Sequence, residues 1–287
     1  MANRDLGLSE LARFGFVDLG STMAKLDQLV KLVGDPGRSA LAALGATADP
    51  DQALNALLFL AESSTAKIKA LLKKDDSARR LCLLLGASSA FTDFLMRHPS
   101  QLDVFEKPAP SLTTAAQMLD SICTSVTTSI SSGADTQSIW NALRIAYRRE
   151  LLKIAIFDLC QSDVEAGLPT VAAALADVAA AAIEAGIVVA RHELKSSTEF
   201  GVFSEFEVDN TAFAVIAMGK CGARELNYIS DVDVIYVANT KSDDLESHRA
   251  VEVATKLATR MMRAMDGTAT EPMLWQVDPN LRPEGKS

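Results

Sequence analysis

Some two hundred residues into the chain the apolar positions change their spacing, and that change limits the available folds more than any other feature. Up to about residue 200 they recur three and four apart, the period of a helix buried along one face, with almost no strand pattern. Beyond it come short apolar runs rich in strand formers, broken by glycines. Helices first and strands after predicts an α+β protein: an all-α helical scaffold over 1–195, then over 196–287 the start of a mixed β-sheet with helices. The junction is expected at Lys195-Ser196-Ser197-Thr198-Glu199.

Within the scaffold, Ser21 is expected to cap a helix carrying Leu26, Leu29 and Val33, stopped by Gly34 and Pro36. Asp49-Pro50-Asp51 opens the next, a third runs from about Asp76 to Gly86, and Ser88 or Ser89 starts a fourth that ends at Arg97-His98-Pro99. His98 reads as a structural residue at a helix end, since no partner has metal-ligand spacing. Residues 106–111 mark a break, and Ser111 to Gly133 reads as a weak helix. Thr136 begins a longer one with a stripe of Ile139, Leu143, Tyr147, Leu151, Ile154 and Ala155. Its Arg144, Arg148 and Arg149 read as a salt-bridged solvent face, with contact to a nucleotide or protein substrate as the alternative. Thr170 to Lys195 is an alanine-rich helix whose small residues suit it to the centre of the scaffold.

The chemistry is concentrated between Phe213 and Val237. Phe206 to Val208 and Phe213 to Met218 are expected strands, Gly219 and Gly222 bracket a tight turn with exposed backbone, and Val232 to Val237 is a further strand. Side chains alternate along a strand, so Asp231 and Asp233 point the same way. Two neighbouring carboxylates repel unless a cation lies between them, and Mg²⁺ suits an all-oxygen site that also receives phosphates. Asp278, about 45 residues on, ends the extended Leu274-Trp275-Gln276-Val277 and can supply a third acid by a return strand. Between them, a helix from Ser242 or Asp243 to about Met265 turns Ala250, Ala254, Leu257, Ala258, Met261 and Met265 inward to cover the sheet.

Gly219-Lys220-Cys221-Gly222, Arg224-Glu225-Leu226-Asn227-Tyr228, Ser230-Asp231-Val232-Asp233 and Val277-Asp278 with Leu281-Arg282-Pro283-Glu284-Gly285 closely resemble the glutamine synthetase adenylyltransferase/adenylyl-removing family, in its actinobacterial form. Leu84 to Ser88, the His98-Pro99 stop and the string from Tyr147 to Ile154 are similar to it too. The resemblance implies a nucleotidyltransferase-fold domain with Asp231, Asp233 and Asp278 as catalytic and metal-binding residues, Asp278 helping to hold a second ion. Gly219 and Gly222 would then approach the phosphates, with Lys220, Ser230 and Arg282 as nucleotide or phosphate contacts.

Family members resemble two tandem nucleotidyltransferase halves: one attaches AMP from ATP to a tyrosine of glutamine synthetase, and the N-terminal one removes it. Helices followed by the motif match the N-terminal half, which implies phosphorolysis of the AMP-tyrosine bond with ADP as product. The implied partners are glutamine synthetase, adenine nucleotide, phosphate and a PII-type regulatory protein. Cys221 stands where leucine is usual, Ala223 where glycine is, and Pro279-Asn280 where an apolar residue and arginine are common. The chain stops soon after the third acid and reads as a fragment covering under half of a family member. A non-catalytic module that binds glutamine synthetase or a regulator, and a nucleotidyltransferase acting on a small-molecule hydroxyl, are the competing expectations.

Composition narrows the rest. A net charge of −9 over 287 residues offers no basic face for DNA or RNA. Cys82, Cys123, Cys160 and Cys221 lie far apart, without a zinc or disulfide spacing, as expected in a reducing cytoplasm. The longest apolar stretch, Thr170 to Ala190, is interrupted by Asp177 and Glu184, and no membrane segment or signal core is expected.

Overall fold

A computed structural model of the protein describes residues 7–107, 111–196 and 203–279. It is α+β, largely helical with a small mixed sheet. The chain gathers into two compact units, residues 1–112 with 152–164 and residues 113–151 with 165–287.

The first unit contains α1 (Leu8–Arg13), α2 (Leu19–Val33), α3 (Asp35–Ser39), α4 (Leu41–Gly45), α5 (Pro50–Ser63), α6 (Thr65–Leu72), α7 (Asp75–Ala87), α8 (Ser89–Arg97) and a 3-10 helix, Pro99–Phe105. Helix α5 packs on α2 and α7, burying Leu29, Leu54, Leu57, Leu60, Leu81, Leu84 and Leu85 completely. Each such side chain contributes roughly 1.5–3 kcal/mol by leaving water. Asp49 caps α5 by accepting from the Gln52 amide at 2.9 Å, and Ser88 caps α8 from its expected position. Helix α2 differs from expectation: it starts at Leu19, and the Asp18 carboxylate, not Ser21, caps it. Asp18 accepts from the Ser21 amide, so the serine lies inside the first turn. His98 sets its ring 5.3 Å from that of Phe94, tilted by 53°, at the end of α8.

The second unit is built from α9 (Ala115–Ser131), α10 (Thr136–Leu159) up to Leu151, α11 (Val164–Ser196) from Glu165, α12 (Glu205–Asn210), β1 (Thr211–Ala217), α13 (Gly219–Gly222), β2 (Val232–Thr240), α14 (Ser247–Asp266) and β3 (Val277–Asp278). Lys195 and Ser196 close α11 inside this unit, which runs on from Glu165 without a break at the expected junction; residues 197–199 of that junction lie outside the described residues. Helix α9 is a full helix, because Thr114 and Gln117 form a reciprocal capping box at its start. Helix α11 begins six residues before Thr170 and carries Pro169 inside it, which removes one rung of its ladder.

The expected strand at Phe206 to Val208 is instead part of α12. The Ser204 hydroxyl accepts from the Glu207 amide at 3.2 Å while the Glu207 carboxylate accepts from the Ser204 amide at 2.7 Å. That capping box outweighs the strand preference of two apolar residues. Likewise α14 begins at Ser247, beyond the expected Ser242.

The sheet has the order β1-β2-β3. Strand β1 runs antiparallel to β2, with Ala217 opposite Val234, and β3 joins β2 in parallel after α14. Val232 and Val234 are fully buried beneath α14, which turns Ala250, Val253, Leu257, Met261, Ala264 and Met265 toward the sheet and α11. Gly186 of α11 permits that closeness: a Cβ there would lie 2.5 Å from the Met265 methyl carbon. Behind it, Glu193 accepts from the Trp140 indole at 2.8 Å and pairs with Arg260, all three buried.

Candidate functional site

The alternation of β2 sorts its residues: with Val232 and Val234 committed to the core, Asp231 and Asp233 fall on the opposite face. Asp231 is exposed just ahead of the strand, and Asp233 is half-buried within it. Parallel pairing sets Val232 opposite Val277 and Asp233 opposite Asp278, so two carboxylates occupy neighbouring register positions. Like charges so placed destabilise the bare sheet.

The glycine turn lies against the same acid. Gly219 adopts φ +52°, and a Cβ on it would sit 2.7 Å from Oδ2 of Asp233. The Met218 amide donates to the Asp233 carbonyl at 2.8 Å, tying the turn to β2 at that residue. Gly222 closes the turn so tightly that a Cβ would meet the Ala217 carbonyl oxygen at 2.4 Å. Both glycines are therefore demanded by geometry.

The amides of Gly222, Ala223, Arg224 and Glu225 donate to carbonyls within this turn, so they are committed to holding it rather than free for a ligand. Lys220 is exposed in α13, and Ser230 is half-buried one residue before Asp231. Arg282 lies outside the described residues. Cys221 is buried, and that burial, with Asp177 nearby, pushes its thiol above the ordinary range. Arg224, at φ 61°, reaches Asp177 of α11 at 2.7 Å and anchors the far end of the turn.

Among the described residues no group of three His, Cys, Asp or Glu side chains is gathered closely enough to hold a metal ion by itself. The donors at hand are a facing pair, Asp233 and Asp278, and an exposed Asp231 two residues earlier. An all-oxygen set of this kind fits a hard divalent ion that keeps water and substrate oxygens in its shell, as Mg²⁺ does.

The arginines of α10 take a part that the sequence pattern does not announce. Arg144 was expected on a solvent face; it is fully buried and donates to the carbonyls of Ala264 at 3.1 Å, Gly267 at 2.7 Å and Glu271 at 2.7 Å. One turn on, Arg148 donates to the carbonyls of Pro272 at 2.7 Å and Met273 at 2.8 Å. Asn141 accepts from the Glu271 amide at 2.9 Å, and the Tyr147 hydroxyl accepts from the Trp275 indole at 3.1 Å. Burial lowers the affinity of Arg144 for its proton, while Asp266 and Glu271 act the other way. The 3-4 spacing of residues 141, 144, 147 and 148 puts them on one face, but sequence alone does not tell carbonyl partners from water.

Residues 78–287 match the family model described as glutamate-ammonia ligase adenylyltransferase. A bifunctional glutamine synthetase adenylyltransferase/adenylyl-removing enzyme of Leifsonia xyli subsp. xyli is 44% identical over 100% of this chain. Enzymes of the same description from Cutibacterium acnes and Streptomyces avermitilis are 36% and 37% identical, over 97% and 99% of the chain. The chain spans 28%, 28% and 27% of the length of those three relatives.

Proposed function

Since the chain belongs to the glutamate-ammonia ligase adenylyltransferase family, we propose that it is the adenylyl-removing part of such an enzyme, acting on the AMP-modified tyrosine of glutamine synthetase. The observation that carries this is the facing of Asp233 and Asp278 beside a glycine turn that leaves room for nothing larger. The reaction is phosphorolysis. An oxygen of inorganic phosphate bonds to the AMP phosphorus, the bond from phosphorus to the tyrosine oxygen breaks, and that oxygen takes a proton. ADP and unmodified tyrosine result.

Asp231, Asp233 and Asp278 would hold Mg²⁺. Bound there, the ion supplies positive charge that offsets the repulsion between an anionic phosphate and an anionic phosphodiester. Gly219 keeps the approach to Asp233 clear, and the anchored turn fixes the acid's main chain. Lys220, exposed on α13, is a contact for a phosphate oxygen, and Ser230 a hydrogen-bond partner for the nucleotide.

The test is to incubate adenylylated glutamine synthetase with the chain, Mg²⁺ and phosphate and to measure ADP. Asp233→Asn is expected to lower the rate by about a hundredfold or more, the scale of a lost electrostatic contact at a reacting phosphoryl group. Equal ADP from both proteins ends the acid-site reading. Phosphorolysis of small adenylylated compounds in place of the modified synthetase moves the substrate to a small-molecule hydroxyl.

A further inference from the structure

Strand β3 contains only Val277 and Asp278, so its ladder to β2 fixes little on its own. What precedes it is held from the side: between Gly267 and Trp275 the chain returns from α14 toward the sheet, and α10 grips it by its carbonyls. Arg144 takes those of Ala264, Gly267 and Glu271, and Arg148 those of Pro272 and Met273. The Leu274 amide then reaches back to the Met265 carbonyl at 2.9 Å, and Gln276 accepts from Val232 at 3.2 Å as the strand begins.

We infer that Arg148, backed by Arg144, is a positioning residue for the third acid: its guanidinium bridges two successive carbonyls and thereby sets where Asp278 stands beside Asp233. This rests on the reading of those acids as a metal site. Nη2 of Arg148 serves both carbonyls while Nη1 lies 3.9 Å from the Glu271 carboxylate; a rigid planar fork holds these partners together, whereas the single ammonium nitrogen of Lys reaches the carbonyls only by leaving Glu271. Arg144 is buried and its loss would disturb the fold, while Arg148 lies at the edge, with a side chain 15% exposed, and tolerates a milder change. A residue acting through Asp278 has no further effect once Asp278 has lost its charge.

The experiment is a Mn²⁺ titration, followed by the electron paramagnetic resonance of the free ion, on the 287-residue chain and its Arg148→Lys, Asp278→Asn, Asp233→Asn and Arg148→Lys/Asp278→Asn forms. Arg148→Lys is expected to weaken Mn²⁺ binding about tenfold, as the loss of an outer-shell support does, and to add nothing in the Asp278→Asn background. Hydrogen exchange supplies the second readout: amides from Leu274 to Asp278 exchange faster in Arg148→Lys, while those of α5 and α7 keep their protection. Unchanged Mn²⁺ affinity in Arg148→Lys, or losses that add in the double variant, overturn the inference. Binding that is lost in Asp233→Asn but indifferent to Asp278→Asn overturns it while sparing the other acids' role. A wild-type chain that binds no Mn²⁺ overturns both the metal site and the positioning role.

Discussion

Gly219 and Gly222 lie three residues apart and fail differently when enlarged. At Gly219 the obstruction is a side-chain oxygen, 2.7 Å from the position of a Cβ, and the backbone is left-handed at φ +52°. Gly219→Ala is expected to cost about 1–2 kcal/mol of backbone strain and to push the Asp233 carboxylate aside. Mn²⁺ affinity should therefore fall by about tenfold, with only a modest drop in unfolding temperature. At Gly222 the obstruction is the Ala217 carbonyl at 2.4 Å, which has no rotamer to escape into. Gly222→Ala should lower the unfolding temperature more than Gly219→Ala, its overpacking against a main-chain oxygen costing about 1–3 kcal/mol of stability. Thermal unfolding with a Mn²⁺ titration separates the two; a Gly222→Ala variant as stable as the parent contradicts the geometry. At this scale the face of the strand on which Asp233 lies was legible, because alternation sets it opposite the buried Val232 and Val234. The carbonyl partners of Arg144 and Arg148 were not, because they belong to the end of α14 and the loop after it, about 120 residues away, which no local pattern announces.

Elements were legible where periodicity was long and obscure where a cap decided the outcome. Helices α5, α7, α8 and α14 follow their apolar stripes, and β1 and β2 their runs of strand formers. Helix α12 was misread because Phe206 and Val208 outweighed a four-residue signal, Ser204-Glu205-Phe206-Glu207, whose meaning depends on reciprocal hydrogen bonds. Glu207 serves a second time: its carboxylate accepts from Arg249 of α14 at 2.7 Å. The Arg249 hydrogen bond, helped by the Ser204 amide, draws the Glu207 carboxyl from an ordinary 4.5 down to about 2. A depressed carboxyl stabilises the fold above its unfolded value, and that contribution disappears as pH falls from about 4.5 to about 2. Arg249→Gln should accordingly lower the unfolding temperature at pH 7, and the gap to the parent should narrow steadily below pH 4.5. A gap that is constant over this range, followed by circular dichroism, would assign the effect to packing against Phe203 instead.

For the molecule as a whole, the order of helices and then strands was visible in the change of apolar period, and the acidic balance of −9 was a matter of counting. Helix α11 shows where composition stops short: its 33 residues are long and apolar enough to cross a membrane, yet 67% of its most apolar window is buried within the protein. Gly167, Ala174, Ala179, Ala182 and Ala185 are buried along it, and Gly186 lets Met261 and Met265 of α14 come close, so the helix spends its apolar surface inside the protein. The chain is expected to remain at the bottom of a density gradient when mixed with neutral or anionic liposomes. Flotation with the vesicles would mean that α11 leaves its core for lipid.

Parallel strands impose an order on assembly. Asp233 and Asp278 are register partners, yet the ribosome delivers the second 45 residues after the first (278 − 233 = 45). A nascent chain still lacking β3 already possesses α10, the turn at Gly219 and all of α14. Electrostatic repulsion between the two carboxylates is thus postponed until the parts that confine them have been synthesised.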